Sequence, residues 1–139
     1  MLRSLMKSQV RDAIATGTSL AASDSVTLDA CLMHLAGLSA YERVRVADTD
    51  TGESFEACLL AGHPGELHVS VVLADRVRPG DSLTITSYGI FSEQEMADHV
   101  PVVVNCGVHG NTGMAAGIGY SSQAEREEFI YNFEWVGDY

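Results

Sequence analysis

The residues best placed to do chemistry are Asp24 and Ser25, which end a polar turn just ahead of the β-branched step Val26-Thr27-Leu28. An apolar helical pattern follows, and it is predicted to begin at an N-cap, Asp29, and to stop at a C′ glycine, Gly37. A serine in such a turn either bonds the local backbone or supplies a hydroxyl to a reaction. Asp24 beside it is a candidate acid or base, with a pKa that burial would tune.

Other candidate residues lie elsewhere in the chain, and each has a plain structural alternative. Cys58 is either a nucleophile or acid, or a small buried hydrophobe. His109 is either a general base on a closing loop, within the glycine-rich segment 107–119, or part of a flexible surface loop. Gln9 and Arg11 either bind a carboxylate or lie on a solvated strand face.

The cysteines and histidines predict neither a disulfide framework nor a metal site. The three cysteines, an odd number without a Cys-x-x-Cys pair, are expected to be free and buried. His63, His68 and His99 lack the spacing of metal ligands. The sequence therefore predicts no metal.

Length and charge limit the class of protein. A chain of 139 residues with 46% hydrophobic content predicts a single domain over residues 1–139. A net charge of −11 argues against nucleic acid and anionic membranes as partners. No apolar run approaches the ~18 residues of a membrane span, and the N-terminus lacks the apolar core of a signal peptide. We therefore expect a cytoplasmic protein.

Alternating patterns and turn signals predict many short strands. The predicted strands are 3–16, 41–48, 53–61, 68–73, 83–88 and 101–106, and the predicted turns are 16–18, 50–52, 62–65 and 78–81. Capping boxes at 92–95 and 122–125 predict two short helices, the second running to residue 132. Because no βαβ rhythm is present, the pattern predicts a small, mainly β barrel with short helices.

The order of these features resembles the pyruvoyl-dependent aspartate 1-decarboxylases over about residues 1–105. The resemblance is carried by the N-terminal strand, the Ser25-x-x-Leu28-Asp29 step, the helix ending at Gly37-Leu38, the Asp50-Thr51-Gly52 hairpin and the Pro79-Gly80-Asp81 turn. It implies a double-psi β-barrel that assembles as a homotetramer, with active sites between subunits. Residues from about 106 to 139 are then a divergent C-terminal extension.

The resemblance also implies a chemistry for Ser25. In the family, a serine hydroxyl attacks the carbonyl of the preceding glycine, and the resulting ester breaks down to leave a pyruvoyl group. That group forms a Schiff base with aspartate and accepts electrons during decarboxylation. Here Asp24 stands in place of the glycine, and it brings a Cβ and a negative charge beside the carbonyl that must become an oxyanion.

Further departures affect nearly every chemical group of the family site. Gln9 replaces a lysine, Arg11 a histidine, Ser54 the arginine that holds the substrate carboxylate, Cys58 the proton-donating tyrosine, Ala57 a threonine and Ala22 a tyrosine, and the segment 72–75 replaces a longer Asn-Gly-Ala-Ala-Ala stretch. The order of strands, helix and turns is kept, whereas nearly every side chain that does chemistry in the family is replaced.

The leading hypothesis is therefore a repurposed family member, a cofactor-independent small biosynthetic enzyme of lyase, hydratase or cyclase type acting on a small molecule. Its predicted catalytic residues are Asp24, Ser25, Cys58 and His109, and its predicted substrate-binding residues are Gln9, Arg11 and Ser54. One alternative is a pyruvoyl-dependent decarboxylase of aspartate or a related acid, with the cofactor made from Ser25. Another is a non-catalytic binding barrel.

Overall fold

The described residues of the computed structural model are 1–21, 23–106 and, for the backbone alone, 117–119. The strands are β1 (Leu2–Ile14), β2 (Gly17–Ser19), β3 (Ser25–Asp29), β4 (Arg43–Asp48), β5 (Ser54–Gly62), β6 (Leu67–Ser70), β7 (Ser82–Ser92), β8 (Val102–Asn105) and β9 (Gly117–Gly119). The helices are α1 (Ala30–Ala36) and α2 (Glu93–Met96), and a 3₁₀ turn covers Val71–Leu73. The predicted mainly β fold with short helices is confirmed.

All nine described strands belong to one mixed sheet, in the order β2-β6-β3-β5-β4-β7-β1-β8-β9. The pairs β1/β8, β2/β6 and β3/β5 are parallel, and the other neighbouring pairs are antiparallel. Strands that are neighbours in the sheet are often far apart in sequence. Side chains that meet on its surface therefore come from distant segments.

The alternation of side chains gives the central strands an inner and an outer face. Val10, Ile85, Val46 and Phe55 are partners across β1, β7, β4 and β5, and all four are buried in the core. The next row lies on the outer face and is polar. It contains Gln9, Thr86, Arg45 and Glu56 as partners across the same strands.

Both predicted caps of α1 are confirmed. Asp29 Oδ1 accepts the N–H of Cys31 at 2.7 Å, and Oδ2 accepts the N–H of Gly65 at 2.8 Å. Gly37 ends the helix in the left-handed region, with a φ of 71°, where a side chain would add strain. The buried Asp29 thus joins the end of β3 to the turn before β6.

Four predicted elements differ from the structure. The predicted strand 83–88 continues to Ser92 as β7, and residues 117–119, predicted within a glycine-rich loop, form β9 beside β8. Gly17 and Thr18, predicted within the turn 16–18, belong instead to β2, which pairs in parallel with β6. The predicted strand 68–73 ends at Ser70, and the chain then turns through the 3₁₀ segment. Val71 and Val72 are 47% and 49% exposed, so their β-branched side chains do not contribute the buried strand face that their type suggested.

No described helix is long and apolar enough to cross a membrane. The predicted capping box at 122–125, the helix that follows it and most of the glycine-rich segment 107–119 lie outside the described residues.

Candidate functional site

Ser25 lies at the start of β3 with a side chain that is buried and unpaired. The residue is only 1% exposed, and its backbone N–H donates to Ser70 Oγ at 3.4 Å. Its own Oγ has no hydrogen-bond partner among the described residues. Among residues 1–21 and 23–106, therefore, no acceptor lies within hydrogen-bond distance of this hydroxyl.

Asp24 and Cys58 lie directly beside Ser25. The carbonyl oxygen of Asp24 accepts the N–H of Cys58 at 2.9 Å, and Ser25 and Cys58 are partners in the parallel β3/β5 ladder. Cys58 is also the partner of Arg43 on β4. The structure thus brings together three predicted catalytic residues and adds an arginine that the sequence did not single out.

An open cleft of about 370 Å³ lies at this point of the outer face. Its charged lining consists of Asp24, Arg43, Glu56 and Arg76. The guanidinium of Arg76 lies 6.0 Å from the centre of the Phe55 ring, which also lines the cleft. The two arginines suit the carboxylate of a small organic anion, and the exposed carboxylates of Asp24 and Glu56 are groups that can exchange a proton with it.

A second open cleft of about 440 Å³ adjoins the first, because Arg43 and Glu56 line both. These two residues form an exposed ion pair with an N···O distance of 3.7 Å. Arg45 and Tyr88 complete the polar lining of the second cleft. A guanidinium nitrogen of Arg45 donates to Ser54 Oγ at 2.8 Å, so Ser54 is exposed next to a cation.

Gln9 and Arg11 lie farther along β1, and neither lines these two clefts. Arg11 Nε donates to Gln9 Oε1 at 2.6 Å, and Gln9 Nε2 donates to Thr86 Oγ1 at 2.9 Å. The cations beside Asp24 are Arg43 and Arg76 rather than Arg11. His109 lies outside the described residues, so its placement stays a prediction.

Sequence reasoning missed the two arginines of the Asp24 cleft. The alternation of Arg43 and Arg45 with valines placed both arginines on an outer face. It did not show that β4 lies between β5 and β7, and this order sets Arg43 opposite Cys58. Arg76 follows the predicted strand 68–73, whose early end at Ser70 carries the chain past Phe55.

The cysteines are free thiols in three different environments. Cys31 is exposed, which corrects the expectation that all three are buried, because it lies on the outer side of α1. Cys58 is half-buried and its Sγ makes a weak contact of 3.9 Å with the carbonyl of Leu59. Burial, with the negative charges of Asp12 and Asp29, raises the pKa of Cys106 to about 12. Cys106 is therefore an unreactive thiol.

Residues 1–112 match the aspartate decarboxylase family. The chain belongs to this family. It is 36% identical to the aspartate 1-decarboxylase of Acetivibrio thermocellus over 106 residues, which is 75% of this chain and 84% of that protein. It is 32% identical to the one of Chlorobium chlorochromatii over 109 residues, with 77% and 84% covered, and 33% identical to the one of Bacillus pumilus over 106 residues, with 75% and 84% covered.

Membership of the aspartate decarboxylase family confirms the double-psi β-barrel that the resemblance implied. Two features at Ser25 bear on formation of a pyruvoyl group. The Ser25 hydroxyl has no partner to take its proton among the described residues, and the preceding residue is an exposed aspartate. A carboxylate so close to the carbonyl would repel the negative charge that develops on it.

Proposed function

We propose that the protein works as an intact chain without a pyruvoyl group. One observation carries this proposal, namely the buried Ser25 hydroxyl with no hydrogen-bond partner among the described residues. A serine attacks a carbonyl only when a base removes its proton as the new bond forms. Asp24 adds to the barrier through its charge.

We propose further that this family member is a small cofactor-independent biosynthetic enzyme of lyase, hydratase or cyclase type. Its substrate is a small organic acid, whose carboxylate pairs with the guanidinium groups of Arg43 and Arg76. Asp24 then accepts or returns a proton at the carbon next to that carboxylate. Ser25 and Cys58 are strand partners next to Asp24 but do not line the cleft, so Asp24 is the proposed proton-transfer group.

A second candidate function is decarboxylation of aspartate or a related acid through a pyruvoyl group made from Ser25. It is favoured by the names of the relatives and by the hydrogen bond from the Cys58 N–H, which polarises the Asp24 carbonyl. A third candidate function is binding without catalysis, in which the same arginines would hold the ligand.

Intact mass after purification separates the first two functions. We expect one species near 14.9 kDa for the parent chain and for Asp24→Gly, because restoring glycine supplies no base for Ser25. Ser25→Ala is the matched control that cannot be processed. Cleavage of the parent between Asp24 and Ser25, absent in Ser25→Ala, would overturn the proposal. Cleavage of Asp24→Gly alone would show that the carboxylate is the only obstacle.

Binding and turnover separate an enzyme from a binding barrel. Calorimetry with a panel of small mono- and dicarboxylic acids should find a ligand whose affinity falls at least ~10-fold in Arg43→Gln, as expected for loss of one charge-assisted pair. Arg3→Gln is the matched control, because Arg3 is exposed and lines neither cleft. Asp24→Asn should keep binding and lose turnover followed by proton NMR. Binding without any turnover of the parent would favour the third function.

We also propose a cytoplasmic homo-oligomer, with a tetramer as the expected form. Support comes from large apolar side chains exposed where β1 pairs with β7, namely Leu2 at 68%, Tyr88 at 54% and Ile90 at 72%. Contact with a second copy would remove this surface from water. Light scattering should give a multiple of 14.9 kDa, and Ile90→Lys should shift it downwards. A monomeric parent at micromolar concentration would contradict self-association.

A further inference from the structure

Three carboxylates from two turns meet at the end of the sheet that holds the β4–β5 hairpin. Asp48 is the last residue of β4, Asp50 lies in the hairpin, and Asp81 precedes β7. One oxygen of each carboxylate lies within 4.8 Å of the other two. Neither cleft of the candidate functional site includes any of these residues in its lining.

Backbone donors hold each of these carboxylates in place. Asp48 Oδ1 accepts the N–H of Asp50 at 2.9 Å and that of Thr51 at 3.2 Å. Asp50 Oδ2 accepts the N–H of Ser82 at 2.9 Å, and Asp81 Oδ2 accepts the N–H of Arg78 at 3.0 Å. The cluster is therefore fixed by both turns before any ligand is added.

A separate observation concerns the buried oxygen of Asp48. Asp48 is 1% exposed, and its Oδ2 has no hydrogen-bond partner among the described residues. One carboxylate oxygen of Asp81 lies within 4.8 Å of one of Asp48. A buried carboxylate oxygen without a donor and close to a second carboxylate is costly unless a proton or a cation lies between them.

We propose that Asp48, Asp50 and Asp81 bind a Ca²⁺ ion. Oxygen ligands lie about 2.3–2.6 Å from Ca²⁺, so two oxygens on opposite sides of one ion are about 5 Å apart. The separation of less than 4.8 Å in the cluster fits a single ion. Water completes the coordination, because Asp50 is exposed and Asp81 half-buried. Ca²⁺ is preferred to Mg²⁺ because it tolerates irregular coordination and loses its water more readily.

The bound ion would join the β4–β5 hairpin to the turn before β7. These segments already meet through the N–H of Thr49, which donates to the carbonyl of Ser82 at 2.9 Å. An ion held by both would stabilise the folded state, since the unfolded chain does not assemble the three carboxylates. The site is separate from the Asp24 cleft, so its role is structural and does not depend on the proposed function.

The test uses the full-length protein after treatment with EDTA and dialysis. Thermal unfolding is followed while CaCl₂ is raised to 10 mM, and a parallel series uses MgCl₂. We expect a saturable rise in Tm of several degrees with Ca²⁺, and a smaller one with Mg²⁺ at equal concentration. The rise should be lost in Asp50→Asn and Asp81→Asn and kept in Asp75→Asn, an exposed residue outside the cluster that loses the same charge.

Other outcomes would overturn the proposal. A parent Tm that Ca²⁺ does not change would mean that a proton, not a metal, lies between Asp48 and Asp81. An equal rise in the parent and in all three variants would show general screening of the net charge. If Asp50→Asn does not fold, Asp81→Asn and calorimetric titration of the parent with CaCl₂ decide the matter. An equal response to Mg²⁺ would refute the preference for Ca²⁺.

Discussion

Glu42 is the centre of a half-buried polar clamp, and removing its charge should weaken the barrel measurably. The side chain is 20% exposed and lies 2.9 Å from Lys7 Nζ. Glu42 also accepts the N–H of Ser39 at 3.2 Å and the hydroxyl of Ser87. Because Lys7 also donates to the carbonyl of Gly37 at 3.2 Å, the clamp ties β1 and β7 to the end of α1.

Glu42→Gln keeps the volume and removes the charge. Hydrogen bonds to a charged group contribute about 1.5–3 kcal/mol each when buried, and an exposed ion pair about 0–1 kcal/mol. With the amide retaining some of the bonds, we expect a loss of about 1–2 kcal/mol in the free energy of unfolding at pH 7. For a chain of this length that is a decrease in Tm of about 3–7 °C. Urea unfolding followed by circular dichroism measures it.

The direction of the Glu42 pKa shift determines how the stability difference between the parent and Glu42→Gln changes with pH. Burial raises the pKa of Glu42, but the bonds from Ser87, Lys7 and Ser39 outweigh it, and the net pKa is lowered. A group with a lowered folded pKa adds stability above its unfolded pKa and loses it as pH falls through the folded value. The difference between the parent and Glu42→Gln should therefore be full at pH 7 and shrink as the pH falls below about 4.5.

A matched control lies on the same sheet. Glu56→Gln removes the same charge from an ion pair whose side chains are more than half exposed, at 63% for Arg43 and 60% for Glu56. Its effect on unfolding should stay below about 0.5 kcal/mol. Equal losses in both variants, or a Glu42→Gln loss that persists at low pH, would refute the assignment of the effect to the clamp.

Three further predictions test the local structure. Asp29→Ala should lower the free energy of unfolding by about 2 kcal/mol in urea, because the buried carboxylate caps α1 and also holds the N–H of Gly65. Gly37→Ala should cost about 1–2 kcal/mol in the same assay, since φ is 71° there and strain acts although the space is open. With a thiol reagent at pH 8, Cys31 should react at once and Cys106 only on unfolding, because Cys106 is buried and its pKa is about 12.

Local signals in the sequence predicted the elements that local forces determine. Asp29 and Gly37 specify the two ends of α1 through capping, and Ser92 with Glu95 forms the predicted capping box of α2. The predicted strand 68–73 was wrong beyond Ser70, because strand formation depends on a neighbouring strand and a buried face. The residue pattern within one segment does not show which strand will lie beside it or which of its faces will be buried.

The candidate site was predicted in part for the same reason. Asp24, Ser25 and Cys58 were singled out by resemblance, and the β3/β5 register brings them together. The contribution of Arg43 depends on the order of strands across the sheet, which is non-local. The carboxylate cluster was missed because it joins a hairpin to a turn more than thirty residues away, and only the Asp48-x-Asp50 spacing was visible in the sequence.

The distribution of charge favours an anionic ligand for the candidate functional site. The chain has only 8 basic residues against 19 acidic ones, yet Arg43 lines both adjoining clefts, Arg45 the second cleft and Arg76 the Asp24 cleft. The protein as a whole repels anions, so selective binding of an acid requires such a local cluster. Glu56 pairs with Arg43, whereas Arg45 donates to the neutral Ser54 and Arg76 lies over the Phe55 ring. Arg76 forms no ion pair among the described residues, so its guanidinium is the cation of the Asp24 cleft that is most available to the carboxylate of a small acid.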